Sequence, residues 1–144
     1  MKIGIGNDHA AVDMKFEVAD YLKSLGYEVV NYGTDKKESC NYPEYGEAVA
    51  RAVASKEVDL GILICGTGIG ISMAANKIKG VRAALCSDCF SAEATRLHND
   101  ANILAMGGRV VGTGLALKIV DTFLNTEFSG AERHIARIRQ IEED

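Results

Sequence analysis

The chain is poor in proline, with Pro43 the only one among 144 residues, and it contains no apolar run approaching the ~18 residues of a membrane span. With 47% hydrophobic and 25% charged residues, such a composition describes a compact soluble protein large enough to bury a core. Positive charge is not in excess. Sixteen Lys and Arg against twenty Asp and Glu leave a formal charge of −4, which argues against nucleic acid or an anionic membrane as the main partner. An acidic ligand must then be met by local basic residues. The opening Met1-Lys2-Ile3-Gly4-Ile5-Gly6 reads as a strand rather than a secretory leader, so a cytoplasmic location is expected. Four cysteines (Cys40, Cys65, Cys86, Cys89) suit a reducing compartment as free thiols. Cys86-Ser87-Asp88-Cys89 spells C-x-x-C, but a second Cys or His pair at zinc spacing is missing, and a buried Cys86 beside a helix-start Cys89 is preferred over a redox pair.

Short apolar runs recur, each followed by a turn and an amphipathic stretch. "KIGIG" (2–6) leads into a helix over 9–25, in which Ala11, Met14, Val18, Tyr21, Leu22 and Leu25 share a face. "YEVVNYG" (27–33) is a second strand, followed by a polar loop and a helix over 43–55. "LGILIC" (60–65) is apolar enough to be covered on both faces, and a helix over 68–79 follows. "RAALC" (82–86), a helix to His98, "ILAMG" (103–107) and a helix over 112–124 continue the alternation. A last helix, 130–143, carries only the thin stripe Ile135, Ile138, Ile141 and suits an edge or another subunit. The pattern predicts one α/β domain over 1–144: a three-layer, doubly wound, Rossmann-like sheet of five parallel strands in order 2-1-3-4-5, with an extra C-terminal helix. Ligands of such sheets bind beyond the carboxyl ends of the strands at the switch point, which places Asn7-Asp8-His9 beside Cys65 to Gly70.

The loop Gly66-Thr67-Gly68-Ile69-Gly70 fits neither the Walker frame nor G-x-G-x-x-G, so a nucleotide is not indicated. Its glycines let backbone approach a ligand, and the helix start behind it offers N–H groups to a phosphate or an oxyanion. A tight turn with sterically required glycines is the alternative. Cys65 stands where a helix N-terminus favours a thiolate, which would serve as nucleophile or general base, although a buried structural cysteine is an equal reading. Asp8 and His9 suit proton shuttling and hydroxyl binding; Asp8 as a helix cap with His9 exposed is the plainer reading. His98-Asn99-Asp100 follows a helix that should end at the opposite edge of the sheet, so His98 reaches the Cys65 substrate only from a second subunit, a lone surface histidine being the alternative. Arg133 and Arg137, at i and i+4 on the last helix, are spaced to clamp a phosphate or to form a solvated face, and Arg109 is a further anion ligand.

Taken together, "GNDHAA", "NYPEYG", "GILICGTGIGISMAANKIKGVRAALC", "RLHNDANILAMGGRVVG" and "ERHIAR" resemble the type B ribose-5-phosphate isomerases. That family includes galactose-6-phosphate isomerase subunits and allose-6-phosphate isomerase activity. The resemblance spans the whole chain, and "CGTGIG" with "HNDAN" is its most specific part. It implies Cys65 as the general base, His98 as the acid that opens the sugar ring, and Thr67 assisting ring opening. Gly66, Thr67, Gly68, Ile69 and Gly70 would form the anion hole of an enediolate. Asp8, His9, Tyr42 and Asn99 would contact sugar hydroxyls, with His9 near the phosphate. Arg133 and Arg137 match phosphate ligands and Arg109 a substrate-contacting arginine. Glu132 in "GAERH" is a local departure whose charge would weaken phosphate binding slightly. The resemblance also implies a homodimer with shared sites, dimers pairing into tetramers being open, and neither metal nor organic cofactor. The expected reaction interconverts ribose 5-phosphate and ribulose 5-phosphate, with allose 6-phosphate as a side substrate. A nucleotide-binding module on the same fold is the rival reading, and it leaves Cys65, His98 and Asp8 without a task.

Overall fold

A computed structural model of the chain describes residues 1–143. Five short strands, β1 (Lys2–Asn7), β2 (Glu28–Asn31), β3 (Leu60–Cys65), β4 (Ala83–Leu85) and β5 (Ile103–Gly107), form one sheet in which every pair is parallel. Six helices accompany them: α1 (Val12–Ser24), α2 (Tyr42–Ala54), α3 (Ile69–Ala75), α4 (Cys89–Asn99), α5 (Thr113–Leu124) and α6 (Glu132–Glu142). A 3-10 turn, His9–Ala11, precedes α1. None of the helices among the described residues is long and apolar enough to cross a membrane.

The three-layer parallel fold agrees with the sequence reading, and the order of the last two strands differs from it. The sheet runs β2-β1-β3-β5-β4, not 2-1-3-4-5. Burial accounts for the exchange. All five residues of β5 are buried, so it needs a strand on each side, whereas β4 has only three residues and leaves Leu85 exposed, as an edge strand does. The chain passes outward from β3 to β4 and returns to β5. Right-handed crossovers then place α2 and α3 on one face and α1 and α4 on the other, where α5 packs against both.

Side-chain alternation divides the core accordingly. Ile3, Ile5, Ile62, Ile64, Leu104 and Met106 face α1, α4 and α5; Leu63, Cys65, Ile103 and Ala105 face α2 and α3. On the second face, Gly6 and Gly61 admit α2 closely: a Cβ on either would stand 2.8 or 2.6 Å from a methyl of Val49. The predicted 68–79 helix ends sooner, at Ala75, because the Asn76 side chain accepts from the Ala83 N–H at 2.8 Å and donates to its carbonyl at 2.9 Å. That pair of bonds turns the chain into β4.

Candidate active site

The β1–β3 register pairs Asn7 with Ile64, which brings the next residues, Asp8 and Cys65, side by side at the carboxyl edge. Asp8 keeps an extended backbone, so the alternation that points Gly6 toward α2, and Gly4 toward Val58 and Tyr32 on the same face, carries through to it. Asp8 and Cys65 therefore share one face. This is the crevice predicted from sequence.

Beyond β3 the chain turns through Gly68 at φ 79°, the left-handed region that glycine enters freely. A side chain there would also collide, at 2.6 Å, with Leu85 and the Met106 carbonyl carbon. The turn brings the Gly68 N–H to 3.1 Å from the buried Cys65 Sγ, which accepts from it. Thr67 Oγ1 accepts from the Ile69 N–H at 3.1 Å, which takes Ile69 out of the set of available donors and leaves the Thr67 hydroxyl proton free to point outward. Ser72 bonds back to Gly68, while the N–H groups of Thr67, Gly70 and Ile71 find no backbone acceptor among the described residues. Such orphan donors at the start of α3 form a cradle for negative charge.

Two side chains bracket the cradle. The Tyr42 ring lies over Gly70, where a Cβ would come within 2.5 Å of it, and the Arg109 guanidinium lies over Gly66, 3.4 Å from the corresponding position. Arg109 is held there by its own N–H, which donates to the Gly66 carbonyl at 3.0 Å. Asp8 caps the 3-10 turn, accepting from the Ala10 N–H at 3.0 Å on Oδ1, so the capping role coexists with its place in the crevice. The fully buried Asn7 fixes this corner by donating to the carbonyls of Asp8 (2.8 Å) and Thr34 (3.0 Å). His9 Nδ1 accepts from the Cys40 N–H at 3.2 Å, which puts the imidazole proton on Nε2. Between His9, Lys37, Arg109 and Thr113 lies a cavity of ≈ 500 Å³. Sequence reasoning placed Asn7 in the crevice and missed Cys40 as a partner of the site; Cys40 meets His9 from 31 residues away, through its N–H at 3.2 Å and its Sγ at 3.7 Å, and no period in the sequence relates the two.

His98, Asn99, Arg133 and Arg137 converge elsewhere. They line a second cavity of ≈ 450 Å³ between the end of α4 and α6. α4 runs antiparallel to the strands, so this cluster sits at the amino edge, a strand length of ~20 Å from Cys65. One chain brings together Asp8, His9, Tyr42, Cys65, the glycine loop and Arg109, and does not bring His98 or the arginine pair to them. In the second cluster Glu132 lies in the first turn of α6, where a carboxylate favours the helix.

Cys86 and Cys89 are free thiols, and burial, then the Asp88 charge, pushes Cys86 up to about 11. A thiol so reluctant to ionise suits the structural reading of the C-x-x-C. No group of three or more His, Cys, Asp or Glu side chains among the described residues is arranged to hold a metal ion.

The chain matches the Ribose/Galactose Isomerase family over residues 3–141. It is similar to a putative sugar phosphate isomerase of Bacillus subtilis, 52% identical over 98% of this chain and 95% of that one. It is 50% identical to the ribose-5-phosphate isomerase B of Escherichia coli, over 97% and 93% of the two chains. The solved structure of Clostridium thermocellum ribose-5-phosphate isomerase B superposes with a TM-score of 0.98 at 57% identity, covering 99% of this chain and 96% of that one.

Proposed function

The chain belongs to the ribose/galactose isomerase family, and from that premise we propose that it interconverts ribose 5-phosphate and ribulose 5-phosphate through a cis-enediolate, with Cys65 as the base. The observation that carries the proposal is the Cys65 sulfur at 3.1 Å from the Gly68 N–H, inside a loop whose next free N–H groups face the same crevice.

Ribose 5-phosphate is mainly a closed ring. Opening it requires a proton delivered to the ring oxygen and another removed from the anomeric hydroxyl; His98 of the partner subunit supplies the first, and Thr67 assists the second. The aldehyde so formed has an acidic C2–H. Cys65 as thiolate takes that proton, and the pair of electrons released moves through the new C1–C2 double bond onto the former carbonyl oxygen. The glycine-loop N–H groups hold that charge. The C2 hydroxyl proton then passes to O1, the charge left on O2 collapses into the C2 carbonyl, and the C1–C2 electron pair takes the proton back from Cys65 at C1, which completes the ketose and restores the thiolate. Proton transfer by a placed group is worth roughly 10²–10⁴-fold and one such donor about 10²–10³-fold. Asp8, Tyr42 and Asn99 of the partner subunit bind hydroxyls, while His9, Arg109 and the partner subunit's Arg133 and Arg137 take the phosphate.

The ~20 Å that separates the two clusters within one chain supports the reading of a homodimer with shared sites. Apolar side chains left uncovered near the loop support it: Ile69, Met73, Leu85 and, at 82% exposure, Phe90. Because the base works at C1–C2 and the arginine pair sits on a separate helix, a sugar phosphate longer by one carbon, such as allose 6-phosphate, is expected to be a slower substrate.

The test is isomerisation of ribose 5-phosphate, with allose 6-phosphate and galactose 6-phosphate in parallel, by native protein and Cys65→Ala. The expected result is a loss of about two orders of magnitude or more in kcat for the variant, with folding intact. Near-native turnover by Cys65→Ala would end the thiolate mechanism and move the base to Asp8. A well-folded native protein inert toward all three sugars would end the isomerase reading itself.

A further inference from the structure

α6 is strongly polar overall, and one of its described residues alone is buried: His134, at 6% exposure. A histidine is an odd choice for the one side chain that seats a surface helix. Its contacts explain the choice. Its ring lies 4.6 Å, centroid to centroid, from that of His98, with the planes 42° apart. On its other side Nδ1 lies 2.7 Å from Ser129 Oγ. Ser129 is itself held, since its N–H donates to the Leu97 carbonyl at 3.1 Å and its Oγ accepts from the Ala131 N–H at 3.2 Å. Where the hydroxyl donates to Nδ1, the imidazole is neutral and carries its proton on Nε2.

The surroundings favour the neutral form as well. Burial holds His134 below the ordinary histidine value, and Arg133, His98 and Arg137 add to the effect in that order. The connection before α6 contributes the neutral Ser129 and Phe128, the latter 6.5 Å away. His98, by contrast, is exposed, at the end of α4, in the cavity lined by Arg133, Arg137 and Asn99. A mobile surface imidazole would lose much of its value as a proton donor, since a misplacement of about 1 Å is enough to cost up to ~10²-fold.

We propose that His134 is the positioning residue for His98: a ring fixed from beneath by Ser129, against which the His98 imidazole lies so that it meets the substrate in one orientation. The inference rests on the reading of His98 as the ring-opening acid and adds the group that aims it. His134 touches no reacting atom.

Three variants and two measurements test it. His134→Ala removes the ring, His134→Phe keeps a ring against His98 without the Ser129 bond, and Ser129→Ala keeps His134 but frees it. His134→Ala is expected to lower kcat about tenfold with KM within twofold of native, His134→Phe to recover most of that loss, and Ser129→Ala to fall between. NMR of the His98 ring protons, which feel the ring current of residue 134, should show the displacement lost in His134→Ala and kept in His134→Phe. Native kcat in His134→Ala would overturn the proposal. So would a raised KM at unchanged kcat, which would make His134 a seat for the arginine pair instead. His98→Asn serves as the control for the underlying reading: if it turns over at the native rate, the ring-opening role of His98 has failed, and with it the proposal, whereas its inactivity beside a fully active His134→Ala sinks the positioning role alone. The ring-current shift reports the geometry independently of any turnover, and its absence in the native protein would also overturn the proposal.

Discussion

At the scale of single residues, the site depends on conformations that few side chains tolerate. Gly68 and Gly80 both have positive φ, 79° and 87°, but only Gly68 has atoms crowding the place of a Cβ. Gly80→Ala should therefore cost about 1 kcal/mol from backbone strain alone, and Gly68→Ala about 3 kcal/mol or more, in urea unfolding. Gly68→Ala should also lose turnover, since the Gly68 N–H leaves Cys65. The lowered His134 gives a sign to pH dependence. The unfolded chain binds a proton near the ordinary histidine value, while the folded chain resists it, so this contribution is present above pH ~6.5 and is lost as pH falls toward the lowered value. The melting temperature of the native protein should drop between pH 7.5 and 5.5 more steeply than that of His134→Phe. Equal slopes would mean that His134 titrates as in the unfolded chain. Asp8, Cys65 and the glycines were legible in sequence because their types announce chemistry; Cys40 and His134 were not, because one meets His9 from 31 residues away and the other acts by lying beneath a neighbour.

At the scale of elements, the long connection between β2 and α2 is tied down by a lysine. Lys15 is fully buried in α1, and its Nζ donates to Asp35 (2.6 Å) and to the Thr34 carbonyl (2.9 Å). These bonds from Lys15, then one from Asn31, hold the Asp35 carboxyl below its usual range. The same connection carries Cys40, which orients His9, and ends at Tyr42 over the glycine loop. Lys15→Ala leaves a cavity, takes away the cation beside Asp35 and one of the two donors to the Thr34 carbonyl, and should cost about 2–4 kcal/mol. Lys15→Met, which refills the space, should cost less and still raise KM, since the loop loses its anchor. Urea midpoints and steady-state kinetics check both. In the sequence, Lys15 sits on the apolar side of the first helix as an apparent misfit, and only the folded loop supplies its partners.

At the scale of the whole molecule, the proposed shared-site dimer predicts complementation. Cys65→Ala and His98→Asn should each be inactive alone. Mixed by unfolding and refolding, half the dimers carry one of each chain, and one of their two sites has both Cys65 and His98 intact. About a quarter of native activity should return. No recovery would place each site within a single chain and require a rearrangement of α4 and α6.

Much was settled by the sequence alone. The bounds of β3 and β5, the parallel three-layer fold and the meeting of Asp8 with Cys65 follow from apolar periodicity, turn chemistry and the handedness of crossovers, all local or nearly local rules. The tertiary structure decided what depends on competition between distant segments. β5 rather than β4 took the inner place because its five residues bury fully, α3 stopped at Ala75 because Asn76 found Ala83, and His134 came to lie under His98 because Ser129 is tied to Leu97. Each of these pairs residues that no period in the sequence relates, so only packing in three dimensions could select them.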